Sequence, residues 1–139
     1  IKKYFEKYPG VQNYIQSSIN NAHELGYAKT MYGRQRPLPE INNKNNLIRA
    51  AAERLAINTP LQGSQADIIK LAMIKIDQFL EKEPLGHLIL QIHDELIFEL
   101  PKRNIEPLRN KVREIMENIT QLSIPLVVNI TVGKNWGEC

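Results

Sequence analysis

Cysteine is almost absent from the sequence: the only one is Cys139, the last residue, so no disulfide can form within the chain. Proteins without disulfides are typical of reducing compartments. The chain also lacks any apolar run that approaches the ~20 residues of a membrane-spanning helix, and it begins with no signal peptide and no methionine. The opening residues, IKKYFEKYPG, indicate a piece cut from a longer protein.

The excess of positive charge is also small. Lys and Arg number 18, and Asp and Glu number 15, which gives a net charge of +3 and an isoelectric point near 9.0. This balance allows an anionic partner, but many basic proteins bind none. A hydrophobic fraction of 42% in 139 residues is ordinary for a globular protein and is enough for one domain or part of a larger one. Composition is therefore compatible with several functions and does not identify one.

Proline and glycine mark the elements of the first third of the chain. A helix is predicted to end at YPG, and a second helix to run from Pro9 to about Leu25, with Gly26 as its C-terminal residue. The stretch YAKTMYGRQRPLPEI predicts two short extended segments around Gly33, which form a basic hairpin or loop.

The alanine-rich sequence that follows predicts two helices separated by a proline. The polar segment NNKNN caps a helix at 47–58. Pro60 and Gly63 are predicted to interrupt this helix. Ser64 with Asp67 fits a capping box, which would open a second helix that runs to about Glu83 and ends at Pro84 and Gly86.

The second half combines a hairpin, a helix and a final strand. Strands are predicted at about 87–93 and 95–100, and a helix from about Asn104 to Leu122. The segment PLVVNITVG alternates in polarity, which predicts a last strand. Helices with antiparallel strands indicate an α+β fold, in which helices pack on a small antiparallel sheet.

His93, Asp94 and Glu95 interrupt an otherwise apolar run, QIHDELIFEL. Buried without partners, an imidazole and two carboxylates would be costly. At the tip of a hairpin they can be solvated, so one interpretation is an ordinary polar turn. The other is that rigid apolar stems place a carboxylate at the rim of a cleft, where it binds a hard cation such as Mg²⁺.

Arg54, Asn58 and Gln62, called here the polar stripe, are spaced by four residues and fall along one face of a continuous helix. They are either a solvated face opposite Leu47, Ala51 and Leu55 or a row of hydrogen-bond donors. The minor groove presents acceptors at nearly equivalent positions on every base pair. Such donors can therefore test the width of a base pair without reading its sequence. The predicted interruption of the helix would turn Gln62 away from this face.

Three basic residues cluster in the predicted hairpin: Lys29, Arg34 and Arg36. Guanidinium groups pair well with phosphate oxygens, so phosphate contacts are one interpretation. A solvated basic turn is the other, and the sequence does not choose between them.

Five stretches occur in the order YFEKYPGV, GRQRPLPEI, AAAERLAINTPLQGSQADIIK, QIHDELIFEL and VGKNW, between about Tyr4 and Trp136. In this order they resemble the C-terminal part of family A DNA polymerases, of the bacterial DNA polymerase I type. The resemblance implies template-directed nucleotidyl transfer from deoxynucleoside triphosphates (dNTPs), with two Mg²⁺ ions in the intact enzyme and primer-template DNA as partner. The implied location is the bacterial cytoplasm, at the nucleoid.

The resemblance also implies roles for site residues. Asp94 would be a metal ligand and Glu95 a supporting carboxylate, both catalytic, while Gln91 and His93 would lie near the primer terminus. The polar stripe would contact the primer-template near the active site.

The resemblance further implies a division of the chain. Residues 1–46 would be a rear segment of the fingers with the basic hairpin, and residues 47–139 a palm segment with the His-Asp-Glu hairpin. The family's other essential aspartate and the helix that grips the triphosphate lie upstream of this region. We therefore expect the isolated chain to be inactive and to self-associate through apolar surface. The alternative function is a non-catalytic duplex DNA-binding module.

A His-Asp metal phosphohydrolase is a weaker alternative. Those enzymes are helical and collect several histidines around their metals, whereas this motif is predicted on strands. Only His23 and His87 accompany His93 in the sequence.

Overall fold

The computed structural model describes residues 2–139, which form two compact units, one ending at Asp67 and the other beginning at Ile68. Helices and two small antiparallel hairpins alternate along the chain, so the predicted α+β class is confirmed. The elements are α1 (Lys2–Lys7), α2 (Pro9–Leu25), β1 (Tyr27–Lys29), β2 (Gln35–Pro37), α3 (Asn46–Lys82), β3 (His87–Ile92), β4 (Glu95–Glu99) and α4 (Ile105–Glu117), with short 3₁₀ turns at Lys102–Asn104 and Trp136–Glu138.

The first unit follows the proline and glycine signals closely. Helix α2 begins at Pro9, and Gly26 ends it in the left-handed conformation, φ +76°, with its N–H donating to Ala22 O at 2.8 Å. Strands β1 and β2 pair antiparallel around Gly33, whose φ is +84°. This segment, Tyr27–Pro37, is called the basic hairpin. The core of the unit consists of small and aliphatic side chains: Ala22, Ala28, Leu38, Ile41, Ala52 and Ala56.

The predicted interruption at Pro60 is wrong, because α3 continues through it as one helix. Proline removes a backbone donor and disturbs the preceding turn. Two side-chain hydroxyls support the helix there: that of Tyr14 donates to Ile57 O at 2.8 Å, and that of Ser64 donates to Pro60 O. Ser64 therefore does not open a new helix, as the capping box predicted, but lies inside a longer one.

The cap at the start of α3 is confirmed. The Oδ1 atom of Asn45 accepts the N–H of Leu47 at 2.9 Å, which satisfies one of the unpaired donors of the first turn. The helix thus begins where the NNKNN segment predicted.

The second unit packs β4 and α4 with the last turns of α3. Its buried centre is Ile76, Leu108 and Val112, and Leu96 and Phe98 of β4 pack against it. Helix α4 ends at Glu117, earlier than predicted. The side-chain amide of Asn118, the next residue, donates to a backbone carbonyl of the last turn at 2.8 Å.

The predicted last strand is absent. Leu126, Val128 and Ile130 are half-buried and the residues between them exposed, so the alternation is present. A strand also needs a hydrogen-bonded partner, and within residues 2–139 no segment pairs with it. Instead, the N–H of Val128 donates to Glu117 Oε1 at 3.1 Å.

None of the helices found in residues 2–139 combines the length and the apolar character that crossing a membrane requires.

Candidate functional site

Strands β3 and β4 bring the His-Asp-Glu residues to the tip of a hairpin, called here the carboxylate hairpin (His87–Glu99). Ile92 lies opposite Glu95, so His93 and Asp94 form a two-residue turn. His93 has a φ of +52°, in the left-handed region that few residues other than glycine adopt. The side-chain amide of Gln91 donates to His93 O at 2.6 Å and so supports this turn.

The tip is solvated while its stem is packed. His93, Asp94 and Glu95 are exposed, whereas Leu96 and Phe98 pack against the centre of the second unit. The ionisable groups therefore avoid the desolvation cost that the sequence appeared to impose. The predicted hairpin, with a polar tip on apolar stems, is confirmed.

The carboxylate hairpin supplies only part of a metal site. Mg²⁺ prefers one or two carboxylates together with water and substrate phosphates. The adjacent carboxylates of Asp94 and Glu95 suit that chemistry. Yet residues 2–139 contain no cluster of three His, Cys, Asp or Glu side chains that could hold a metal ion. These residues fit a magnesium site as contributors, but within the described residues they do not complete one.

The polar stripe is intact on α3. Arg54, Asn58 and Gln62 are all exposed, and the helix is unbroken between them. A step of four residues turns an α-helix by about 40° beyond a full turn, so the three side chains stay on one side. Gln62 therefore does not turn away as the predicted break implied.

The buried side of this helix differs from the sequence interpretation. Leu47 is 83% exposed and Leu55 38% exposed, whereas Ala52 and Ala56 lie in the core. Leucines therefore do not mark the packed side here. Alanines do, since α3 joins a core that also holds Ala22 and other small side chains.

Among the described residues, the basic hairpin carries one cation that forms an ion pair and two that do not. The Nε atom of Arg34 donates to Asp67 Oδ1 at 2.8 Å, and its Nη2 atom donates to Gly63 O at 3.0 Å. Lys29 and Arg36 are exposed and, within the part of the chain that the structure describes, form no ion pair.

Arg36 and Gln62 line one cavity, a proximity that the sequence did not indicate. The cavity has a volume of about 340 Å³ and brings one residue of the polar stripe beside the basic hairpin. Its lining consists of Arg34, Gln35, Arg36, Pro37, Thr59, Gln62 and Gly63.

The predicted site residues thus fall in two groups. One, in the first unit, comprises Lys29, Arg34, Arg36, Arg54, Asn58 and Gln62, and the other, in the second unit, comprises Gln91, His93, Asp94 and Glu95. The sequence did not predict the polar contacts that the basic hairpin makes with Gly63, Ser64 and Asp67. The only signal for them was the GSQAD stretch, which the sequence interpretation assigned to a helix cap.

Comparison with known proteins decides the family. The sequence model of DNA polymerase family A matches residues 1–138. The chain belongs to DNA polymerase family A. It is 47% identical over 137 residues to DNA polymerase I of Bacillus subtilis and 42% identical over 139 residues to that of Lactococcus lactis. These matches cover 98% and 99% of the chain but only 16% of each relative, so the chain spans about a sixth of their length.

A solved family A structure has the same fold. It is described as the POL domain of Pol1 from M. smegmatis in complex with DNA primer-template and dNTP. The two structures match with a TM-score of 0.87 at 44% identity, over 90% of this chain and 22% of that one. The similarity to the family A fold therefore extends over nearly all of the chain.

Proposed function

We propose that this chain is the palm and rear-fingers section of a DNA-directed DNA polymerase of the DNA polymerase I type. The observation that carries the proposal is the exposed Asp94–Glu95 pair at the tip of the carboxylate hairpin, within a chain that matches the family over residues 1–138. The similar structure that holds primer-template and dNTP supports both as partners. Residues 1–46 are assigned to the fingers and residues 47–139 to the palm. Bacterial cytoplasm, at the nucleoid, is the proposed location.

In the proposed reaction, Asp94 holds the catalytic metal and Glu95 supports the site. Bound magnesium would activate the primer hydroxyl and stabilise the pyrophosphate leaving group. The hairpin presents Asp94 at its tip, and the side-chain amide of Gln91 supports the turn by its bond to His93 O. We assign Gln91 and His93 to the neighbourhood of the primer terminus.

The polar stripe is proposed to bind the minor groove of the primer-template. Arg54, Asn58 and Gln62 present donors along about two turns of one helix, and minor-groove acceptors occur on every base pair. Of the three basic residues in the basic hairpin, Lys29, Arg34 and Arg36, two are the proposed direct phosphate contacts. Lys29 and Arg36 suit this role best, because the guanidinium of Arg34 already binds Asp67.

Primer extension by the full-length protein that carries this chain tests the proposal. Extension that needs both Mg²⁺ and a template supports it, and its absence in a folded preparation contradicts it. The second candidate, a non-catalytic duplex DNA-binding module, applies to the isolated chain, and the exposed polar stripe on α3 together with the exposed Lys29 and Arg36 supports it. Magnesium-dependent extension by the isolated 139-residue chain would overturn that second assignment.

A further inference from the structure

The basic hairpin is fixed to α3 by polar contacts close to its bend. The N–H of Met31 donates to Ser64 Oγ at 2.9 Å, next to the two bonds that Arg34 makes with Gly63 O and Asp67. Thr30, beside this contact, is only 3% exposed. The bend therefore rests on one turn of the helix.

Gly63 allows this close approach. A Cβ added to Gly63 would lie 2.6 Å from Thr30 Cγ2 and 3.4 Å from Arg34 Nη2. The first distance is shorter than a van der Waals contact, so a side chain here would push the hairpin away from the helix. The hairpin position thus depends on the glycine as well as on the polar contacts.

The guanidinium of Arg34 is already engaged. Its Nε atom binds the Asp67 carboxylate, whose side chain is 13% exposed, while the Arg34 side chain is 51% exposed. To grip a phosphate with the same edge, Arg34 would have to leave a largely buried carboxylate, which is unfavourable. Arg36 forms no such ion pair among the residues that the structure describes.

We infer that Arg34 is a positioning residue: its bonds to Asp67 and Gly63 O hold the basic hairpin so that Arg36, facing the phosphate backbone, lies beside Gln62, facing the minor groove of the same stretch of DNA. Arg34 also lines the cavity that Arg36 and Gln62 share, and its bonds to Gly63 O and Asp67 join the two sides of that cavity. The inference rests on the proposed function, and it separates Arg34 from the direct phosphate contacts.

Neutralising Asp67 gives opposite results under the two roles. If Arg34 is a direct phosphate ligand, Asp67→Asn frees it and adds a positive charge, so DNA binding becomes equal or tighter. If Arg34 is a positioning residue, Asp67→Asn releases the hairpin and weakens binding. Primer-template affinity of the full-length protein, measured over a series of salt concentrations, distinguishes these outcomes.

We expect Asp67→Asn and Arg34→Gln each to weaken binding by on the order of tenfold, and the double variant to be no weaker than either single one. The dependence of affinity on salt should be the same in both single variants. Direct phosphate binding by Arg34 instead lowers the salt slope by about one charge in Arg34→Gln alone. Tighter binding by Asp67→Asn, or a slope change confined to Arg34→Gln, would overturn the inference.

Matched controls separate charge and folding from position. Asp77→Asn makes the same charge change at an exposed site on the same helix, and Lys44→Gln removes one positive charge from an exposed loop position. Both should leave the affinity within about twofold of wild type.

Ser64→Ala removes the Met31 contact without a change of charge and, like Asp67→Asn, should weaken binding. Unchanged affinity in this variant contradicts the inference even if the charge variants misfold. Failure of the wild-type protein to bind primer-template would instead refute the proposed function.

Discussion

The two hairpins of this chain are held in different ways. The basic hairpin has strands of three residues, and hydrogen bonds and an ion pair fix its bend to α3. The carboxylate hairpin has strands of six and five residues, and apolar side chains such as Phe98 hold its stem. The charged tip of the second hairpin thus contributes nothing to its attachment, whereas a charged residue of the first is part of the attachment itself.

This difference predicts which charges can act on a substrate. At the carboxylate hairpin, apolar burial leaves both Asp94 and Glu95 available for chemistry. At the basic hairpin, Arg34 is used to bind Asp67, and only Lys29 and Arg36 remain available. Substitutions in the two hairpins test this contrast.

The largest effect is expected at Asp94. In the full-length protein, Asp94→Asn keeps the size of the side chain but removes a negative charge beside the proposed metal. Several kcal/mol of barrier is a reasonable cost, so the rate of nucleotide incorporation should fall by roughly a thousandfold or more. Single-turnover primer extension measures this rate, and primer-template affinity should change much less.

Substitutions of two other carboxylates are the controls for that experiment. Glu95→Gln should reduce the rate less than Asp94→Asn does, because Glu95 is assigned a supporting role. Asp77→Asn, at an exposed position of α3, should leave it unchanged. If Asp94→Asn stays within about threefold of wild type, the hairpin tip is only a solvated turn and the catalytic assignment fails.

The stem of the carboxylate hairpin should be the more sensitive to truncation. Phe98→Ala removes a large side chain from the cluster around Ile76, and we expect a loss of about 2–4 kcal/mol in the free energy of unfolding. Arg34→Gln should cost about 1 kcal/mol or less, because the ion pair of Arg34 is half exposed. Urea denaturation of the isolated chain compares the two variants. Equal losses would show that the two hairpins are held alike.

Sequence patterns correctly predicted the elements that depend on neighbouring residues. They did not predict the features that depend on residues far away in the chain. Pro9 and Gly26 bounded α2 correctly, since caps and proline act within one turn. Pro60 by itself predicts a break, yet the helix continues through it, and next to it the hydroxyl of Tyr14, 43 residues away in the chain, donates to Ile57 O. A side chain that far away leaves no local pattern for a sequence argument to detect.

Dependence on distant residues also explains why the last strand was predicted wrongly and why part of the site was not predicted. Alternation at Leu126 and Val128 indicates an extended segment, but pairing depends on a second segment that local sequence does not specify. The turn at His93–Asp94 was predicted, because apolar stems around a polar pair define a hairpin locally. The ion pair of Arg34 with Asp67 joins residues 33 apart, and no spacing rule connects them.

The polar stripe should give a moderate and sequence-independent effect. In the full-length protein, Arg54→Ala or Gln62→Ala should cost roughly 1–3 kcal/mol of transition-state stabilisation per lost contact. Incorporation rates and mismatch discrimination should fall about equally on templates of different sequence, since the minor-groove acceptors are nearly equivalent. A strongly template-dependent defect would indicate base-specific reading and contradict the proposal.

The smallest effect is expected in the self-association of the isolated chain. On the carboxylate hairpin, Ile89 is 55% exposed and Leu90 42% exposed, at a bulge in β3. Exposed apolar side chains on a strand with a free edge promote pairing between copies. The basic hairpin also exposes Met31 at its bend, but its strands carry the exposed Lys29 and Arg36, and like charges oppose such pairing. We therefore expect weak dimers or larger species in sedimentation experiments as concentration rises.

A pair of lysine substitutions locates the associating surface. Ile89→Lys should shift the isolated chain towards monomer, because it places a charge on the apolar part of the carboxylate hairpin. Met31→Lys is the matched control, since Met31 is 51% exposed at the bend of the basic hairpin, and it should leave association unchanged. A wild-type chain that remains monomeric at high concentration would contradict self-association altogether. An effect of Met31→Lys as large as that of Ile89→Lys would instead show that association does not distinguish the two hairpins.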